Sequence, residues 1–326
     1  MRIAGEPTEH ASGAQLGPTA DRPAAPAANG RRASSHSDAA PAAPAAGDEP
    51  AAAAGGALGQ LVRPPETPVV ARPILLVGGT RATPIERPVI AEVALTVFVD
   101  GRELVTLMCT PWKLNCLILG FLYLEGVIDG ADDVAALRVC VPDRVAEVTL
   151  TRPVELPKRR VLTSGCTGGM SFRDYLEEVQ RQRVPSGRQI AVEQVYRLMR
   201  ELHQQSHLYH ESRGVHTAAL SDGDELLVVA EDVGRHNCLD KIAGECLLRE
   251  LPTADRVLLS SGRISSEMLL KAAAMRVPIV VSRTSPTAMS LLLAEHLDVM
   301  VVGYVRSDSL NVYTHPWRLM GIEAAP

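Results

Sequence analysis

Apolar and polar residues alternate through residues 93–109, and the alternation is interrupted once, at Asp100-Gly101. An Asp-Gly pair between two alternating runs is typical of a β-hairpin. Residues 134–141 and 145–151 alternate in the same way and predict a second hairpin. Between the hairpins, residues 111–128 have the apolar spacing of a buried helix that begins near its proline. This part of the chain is therefore predicted to be α+β.

The pattern changes after Gly214 to strands that alternate with helices. Five strands are predicted, at residues 215–220, 225–231, 256–261, 277–282 and 299–305. Helical stretches separate the last four strands, at residues 239–250, 265–276 and 286–297. Strands joined through such helices form right-handed βαβ units, so we predict a largely parallel sheet in a three-layer α/β domain. Two further helices are predicted before it, at residues 171–183 and 190–209.

Composition separates residues 1–60 from the remainder of the chain. They contain 20 Ala and 7 Pro but no aromatic residue, Val or Cys. Such a segment buries too little apolar surface to offset the chain entropy lost on ordering, and we predict a disordered tail. A transit peptide is the alternative, although six acidic residues oppose it. The predicted organisation is a tail (1–60), an α+β portion with two hairpins (61–160) and an α/β domain preceded by a loop and helices (161–326).

Charge and cysteine usage narrow the class of protein. The formal net charge of −5 argues against a generally basic nucleic-acid binder. No apolar run approaches the roughly 18 residues of a transmembrane helix, and no apolar segment typical of a secretory signal follows Arg2. With no Cys-x-x-Cys pair, a zinc ribbon is unsupported, and we expect free thiols in a reducing cytoplasm. The six cysteines are Cys109, Cys116, Cys140, Cys166, Cys238 and Cys246.

The basic residues are nearly all arginine, 29 against 4 Lys, which codon bias explains as readily as function does. Their placement is more informative, because an arginine follows each of the last four predicted strands within a few residues. Ligands of open α/β sheets bind outside the carboxyl ends of the strands. Arginine forks beside helix N-termini are what phosphate groups require, so we predict a phosphorylated ligand there. Solvated loop arginines are the alternative. The four residues are Arg235, Arg263, Arg283 and Arg306.

Cys166 lies in a different setting from the other cysteines, which adjoin apolar elements and are interpreted as core residues. Glycines flank it, three cations precede it at 158–160, and a predicted helix follows. These features favour an exposed thiolate suited to covalent transfer. The alternative is a merely exposed cysteine.

Two histidines, His216 and His236, belong to glycine-bearing segments near the predicted crevice and are candidates for proton transfer. Glu231 and Asp232 are candidates to orient them, although helix capping or fixing of the loop is an equal alternative. Three other histidines at helical spacing predict a solvated helix face, because Gly214 occupies the place of the second His in a His-Glu-x-x-His zinc motif.

Several segments, in fixed order from about Ile85 to Leu319, resemble the FdhD family of sulfur carrier proteins required for formate dehydrogenase activity. They are TSGC (163–166), GVHTAAL (214–220), EDVGRHNCLDKIAGE (231–245), SSGRISSEMLLKAA (260–273), SPT (285–287) and GYVRSDSLNVYTHPWRL (303–319).

The resemblance implies a cytidine-deaminase-like fold for the C-terminal domain without a catalytic metal, since the deaminase zinc motifs are absent. It implies that a cysteine desulfurase donates sulfur to Cys166 as a persulfide. The protein would pass this sulfur to the molybdenum bis(molybdopterin guanine dinucleotide) cofactor, its bound substrate, before the cofactor enters formate dehydrogenase. The family's cofactor-binding stretch corresponds to Tyr304, Val305, Arg306, Ser307, Asp308 and Ser309.

The family also suggests a cytoplasmic homodimer with guanine nucleotide binding and no membrane partner. One departure is that many members have Cys-x-x-Cys in the loop, whereas Gly169 stands at the second position here. One thiol is sufficient for attack on a donor persulfide. We therefore expect a sulfurtransferase, and the alternative is a cofactor-binding chaperone that transfers no sulfur.

Overall fold

The computed structural model of the protein describes residues 66–154 and 183–322. The predicted tail, the 171–183 helix except its last residue, and the loop around Cys166 lie outside the described residues. The strands are β1 (Val69–Gly78), β2 (Arg81–Ile90), β3 (Val93–Val99), β4 (Arg102–Cys109), β5 (Val134–Cys140), β6 (Val145–Leu150), β7 (Ile190–Ala191), β8 (His216–Ser221), β9 (Leu226–Asp232), β10 (Val257–Ser260), β11 (Ile279–Ser282), β12 (Met300–Gly303), β13 (Asn311–Val312) and β14 (Leu319–Met320). The helices are α1 (Leu114–Leu124), α2 (Val192–Gln204), α3 (His207–Ser212), α4 (Arg235–Leu248), α5 (Ser266–Ala274) and α6 (Ala288–Leu297), with 3₁₀ turns at Ala131–Asp133 and Pro316–Arg318.

The α+β portion has both predicted hairpins. β3 and β4 pair antiparallel, as do β5 and β6, in a sheet of order β4-β3-β6-β5. Asp100 and Gly101 have φ of 48° and 75°, the left-handed geometry that joins the first hairpin. Alternate residues of β3 are buried against α1, which confirms the predicted helix. The helix begins at Leu114 rather than at the proline, since Lys113 has φ of 52° and lies outside it.

The larger sheet has the strand order β13-β12-β11-β10-β8-β9. β10, β11 and β12 pair in parallel, but the other three strand pairings are antiparallel, so the prediction of a largely parallel sheet is wrong. A short connection lets β8 pair antiparallel with β9, and β8 is also antiparallel to β10. Two reversals leave β9 running in the same direction as β10. The carboxyl ends of β9, β10, β11 and β12 therefore meet at one edge, beside the start of β8.

Helices cover both faces of this sheet, which confirms three layers. α4, α5 and α6 pack on one face, and α2 packs on the other. The single helix predicted at 190–209 is wrong, because the chain is interrupted between α2 and α3. The carboxylate of Glu231 accepts the backbone N–H groups of Leu208 and Tyr209 and thereby caps the second segment. The cytidine-deaminase-like assignment and the boundaries at 60 and 160 stay predictions.

The α+β portion and the α/β domain meet where α1 crosses α4. A Cβ placed on Gly120 would lie 1.7 Å from the carbonyl oxygen of Asp240, and one on Gly244 would lie 1.9 Å from that of Cys116. Only glycine permits this approach, because any side chain would overlap the facing backbone.

The β1–β2 hairpin was not predicted. Its ten residue pairs run from Val69↔Ile90 to Gly78↔Arg81, and most of its residues are exposed on both faces. Three prolines interrupt the alternation by which strands are recognised. Within the two described ranges, no helix is long and apolar enough to cross a bilayer.

Candidate functional site

Four loops meet at the edge of the larger sheet where β9, β10, β11 and β12 end. Each loop carries one of the four predicted arginines, so the structure brings together residues that are about 70 positions apart in the sequence. We call this set the arginine edge: Arg235, Arg263, Arg283 and Arg306.

Arg235 and Arg263 lie beside His216, the first residue of β8. A Cβ placed on Gly262 would lie 3.2 Å from both the Arg235 Cβ and the His216 Nδ1, which shows how closely these groups approach. Burial and then the charge of Arg263 lower the pKa of Arg235. Neighbouring cations repel one another, and a bound anion would relieve that repulsion.

Arg283 and Arg306 meet on the next two loops. The Arg306 guanidinium donates to the carbonyl oxygens of Arg283 at 2.6 Å and of Val305 at 3.1 Å. It also lies 6.0 Å from the ring centroid of Tyr304, a cation–π distance. Val305 is buried and anchors the loop, whose remaining predicted binding residues are exposed. The backbone N–H of Arg306 donates to the carbonyl of Ser309 at 2.8 Å and closes the turn that contains Ser307 and Asp308.

A cavity of about 410 Å³ lies between the sheet edge and helices α2 and α3. Hydroxyl groups line it at the ends of three strands, and aromatic rings line it from the helices. Its polar and aromatic lining includes His203, Tyr209, His216, Thr217, Ser261, Arg283, Thr284 and Arg306. The volume lies within the range of small-molecule sites, roughly 300–1,000 Å³.

Three helix N-termini open at the same edge, those of α4, α5 and α6. Ser265 and Thr287 cap α5 and α6, each accepting a backbone N–H at 3.3 Å. The positive ends of the helix dipoles add to the arginine charge. Within residues 66–154 and 183–322, the guanidinium groups of Arg263, Arg283 and Arg306 form no ion pair with a carboxylate. The edge therefore has an excess of positive charge that an anionic ligand can balance.

Both candidate histidines lie at this edge. Burial, followed by the charge of Arg235, lowers the pKa of His216. The same two causes lower the pKa of His236 to about 3, so its imidazole is neutral at pH 7. A neutral ring passes a proton on by accepting at one nitrogen and donating from the other.

Glu231 and Asp232 have the structural roles that the sequence left as the alternative. Glu231 caps α3, and its carboxylate also accepts the hydroxyl of Thr217 at 3.3 Å. Asp232 accepts the backbone N–H of Thr110 at 3.0 Å, the amide of Asn237 at 2.7 Å and the ammonium of Lys241 at 2.6 Å. These contacts fix the loop before α4 and orient neither histidine.

His203, His207 and His210 are exposed, as predicted, although His203 also borders the cavity. In the described part of the chain, no group of three or more His, Cys, Asp or Glu is arranged to hold a metal ion.

The five described cysteines are free thiols. Cys109, Cys238 and Cys246 are buried, as expected of core residues, whereas Cys116 and Cys140 are only half-buried and do not fit that interpretation. Burial raises the pKa of the Cys109 and Cys246 thiols to about 12, so neither is ionised at neutral pH. The role of Cys166 stays a prediction, because that residue lies outside the described residues.

Some residues of the site were missed from the sequence. Ser261 and Thr284 lie within two residues of the ends of β10 and β11, and that position was the signal available for them. Tyr209 reaches the cavity only because the helix is broken before it. Glu267, which contacts His236, carries no local signal.

A family model and several individual proteins match most of this chain, and all of them carry the name FdhD. The family model described as the FdhD/NarQ family matches residues 90–320. A Bacillus pumilus protein named sulfur carrier protein FdhD is 41% identical over 236 residues, covering 71% of this chain and 90% of that protein. A Bacillus subtilis protein of the same name is 38% identical over 239 residues, covering 72% of this chain and 91% of that protein.

A solved structure from Desulfotalea psychrophila, assigned as a formate dehydrogenase accessory protein, is similar with a TM-score of 0.64. It is 25% identical in sequence, and the similarity covers 77% of this chain and 99% of that one. The residues matched by the family model include the arginine edge and the cavity lining. The tail and β1 lie before the residues matched by the family model.

Proposed function

The chain belongs to the FdhD/NarQ family, and from that membership we propose that it is a sulfur carrier that serves formate dehydrogenase. Cys166 accepts sulfane sulfur from a cysteine desulfurase as a persulfide. The sulfur then passes to the molybdenum bis(molybdopterin guanine dinucleotide) cofactor, which is the substrate rather than a resident group. The protein is in this sense a sulfurtransferase.

The observation that carries the binding half of this proposal is the arginine edge. A guanine dinucleotide contains a diphosphate, and two pairs of neighbouring arginines match two phosphate groups. Arg235 and Arg263 form one pair, and Arg283 and Arg306 form the other. Exposed arginines beside helix N-termini give charge-assisted hydrogen bonds to phosphate oxygens. The loop from Tyr304 to Ser309 contributes its backbone groups and hydroxyls to the same ligand.

The transfer half rests on the residue types around Cys166 and on the family's motif. Glycines and preceding cations favour a thiolate that attacks a donor persulfide. His216 and His236 supply proton transfer at the edge. Family membership also underlies our proposals of a cytoplasmic location, a homodimer, and contacts with a cysteine desulfurase and with formate dehydrogenase.

A second function is favoured by one observation, Gly169 in place of a second loop cysteine. In that case the protein is a chaperone that holds the dinucleotide cofactor and transfers no sulfur. Both functions need the arginine edge, and only the first needs the Cys166 thiol.

Mass spectrometry separates the two functions. The full-length protein is incubated with a cysteine desulfurase and cysteine, and the adduct is mapped by digestion. We expect one added sulfur on Cys166 and none in Cys166→Ala, while Cys140→Ala serves as the matched control and keeps the adduct. A protein that binds GDP but gains no sulfur on Cys166 would be the chaperone instead.

A further inference from the structure

Three side chains on α4 and α5 form a chain of contacts at the arginine edge. The Nε2 of His236 lies 3.1 Å from the Oγ of Ser265, and its Nδ1 lies 3.5 Å from the Oε2 of Glu267. Ser265 caps α5, Glu267 is in the first turn of that helix, and His236 is the second residue of α4. Imidazole nitrogens are thus placed between a hydroxyl and a carboxylate.

The groups that surround His236 are mostly cationic. Arg235, Lys271 and His216 face His236, and burial is the largest cause of its lowered pKa, about 3. The ring is therefore neutral over the physiological range and carries a single N–H. It cannot store a proton, but it can exist as either of two tautomers.

The surroundings of Glu267 raise its pKa, whereas those of His236 lower the pKa of the imidazole. Burial, with the charges of Asp240 and Glu125, raises the pKa of its carboxyl to about 7, against the opposing charges of Lys271 and Arg235. Its side chain is 27% exposed, so it exchanges protons near neutral pH. An ionised Glu267 favours the tautomer that carries its proton on Nδ1, 3.5 Å from the carboxylate, and leaves Nε2 to accept the Ser265 hydroxyl. A protonated Glu267 favours the other tautomer, in which Nε2 carries the proton and can donate to Ser265.

We propose that Ser265, His236 and Glu267 form a proton relay that couples anion binding at Arg235 to protonation of Glu267. The proposal rests on the proposed function, in which that anion is a phosphate group of the cofactor. A proton enters at the Ser265 oxygen, the hydroxyl proton of Ser265 passes to Nε2, and the Nδ1 proton passes to the Glu267 carboxylate. Serine ends as a neutral hydroxyl, the imidazole ends as the other tautomer, and one proton has been taken from water. Glu267 is a positioning residue, since it acts through His236.

The sign of the coupling follows from Arg235. Its positive charge lowers the proton affinity of Glu267, and a bound phosphate neutralises that charge. Binding therefore raises the proton affinity of Glu267 and draws a proton into the relay.

The tautomer of His236 is measured by nitrogen NMR of the full-length protein without ligand, from about two pH units below to two above the Glu267 midpoint. We expect the ring to change tautomer near pH 7 while remaining neutral. Glu267→Gln should hold one tautomer throughout. Glu125→Gln removes another half-buried carboxyl beside Lys271 and is the matched control, which should keep the change. A ring whose tautomer is the same at every pH would overturn the relay.

The coupling is tested by calorimetry of GDP binding in buffers of different ionisation enthalpy. Near pH 7 the wild-type protein should take up more protons than Glu267→Gln, and protons exchanged by GDP itself are common to both. Equal uptake in the two proteins contradicts the coupling even if the tautomer changes. Failure of GDP to bind at all would count against the proposed function, and the ligand-free NMR experiment would still decide whether the relay exists. Coincident thermal unfolding of the two proteins shows that the substitution leaves the fold intact.

Discussion

Helix α4 contributes charge to two regions that use it differently. At its first residue, Arg235 joins the arginine edge, where Arg263, Arg283 and Arg306 are exposed and make no ion pair within the described residues. One and a half turns further on, Lys241 is fully buried and its ammonium lies 2.6 Å from the carboxylate of Asp232. We call this second region the buried pair.

The buried pair is fully satisfied by the protein itself. Besides Asp232, the Lys241 ammonium donates to the carbonyls of Thr110 at 3.3 Å and Glu231 at 3.1 Å. Asp232 accepts from Thr110 as well, so the pair joins the α+β portion to the sheet. Desolvated charges persist only when they are paired and hydrogen-bonded in this way. Arg263, Arg283 and Arg306 are instead exposed and form no ion pair within the described residues, so they can meet a ligand, which is why the edge and not the pair is the candidate site.

The largest expected effect comes from breaking the buried pair. Lys241→Met leaves the Asp232 carboxylate buried without its cation and should lower the free energy of unfolding by about 3–5 kcal/mol, measured by urea denaturation. Adding Asp232→Asn should restore part of the loss, since the second substitution removes the unpaired charge. A loss in the single variant below about 1 kcal/mol would mean that the pair contributes little, as exposed pairs do.

Removing an arginine from the arginine edge should weaken ligand binding and leave the stability of the fold unchanged. Arg263→Ala or Arg306→Ala should raise the Kd for GDP about tenfold or more, because a charge-assisted hydrogen bond contributes about 1.5–3 kcal/mol. The urea midpoint should not change, because no buried partner is left behind. Arg138→Ala, on the exposed face of β5, is the matched control for titration calorimetry. Unchanged GDP affinity in both variants would show that the ligand does not bind at this edge.

The smallest effect is expected where a charge is paired but exposed. Arg152 donates to Asp129 at 2.6 Å and to Asp133 at 3.0 Å, and its side chain is 56% exposed. Water solvates these groups nearly as well when the pair is broken, so Arg152→Ala should leave both the urea midpoint and GDP binding within experimental error. A clear drop in stability would show that pairing alone, without burial, accounts for the behaviour of Lys241.

Local patterns explain why part of the site could be predicted. Asp100-Gly101 adopts left-handed geometry that few other residue pairs accept, so this dipeptide alone predicts the turn. Arg235, Arg263 and Arg283 were found because each follows an apolar run. The position of His216 beside them was anticipated only loosely, since it depends on β8 running antiparallel to β10.

Other features depend on partners that are distant in sequence. Glu267 contacts His236 because the N-termini of α4 and α5 adjoin, and no pattern links two residues 31 positions apart. Gly120 and Gly244 look like ordinary helix glycines until the two helices cross. The β1–β2 hairpin has both faces exposed, so it lacks the one-sided burial that produces an alternating pattern.

Local sequence was enough to predict the five strands and three helices after Gly214, the arginine that follows each of the last four strands and the family motifs, because these depend on neighbouring residues along the chain. The tertiary structure decided the strand order, the antiparallel insertion of β8 and the break between α2 and α3. It also decided which charges are paired and buried and which remain exposed at the edge. Pairing and burial depend on the distance between side chains in space, and that distance is set only when the elements pack.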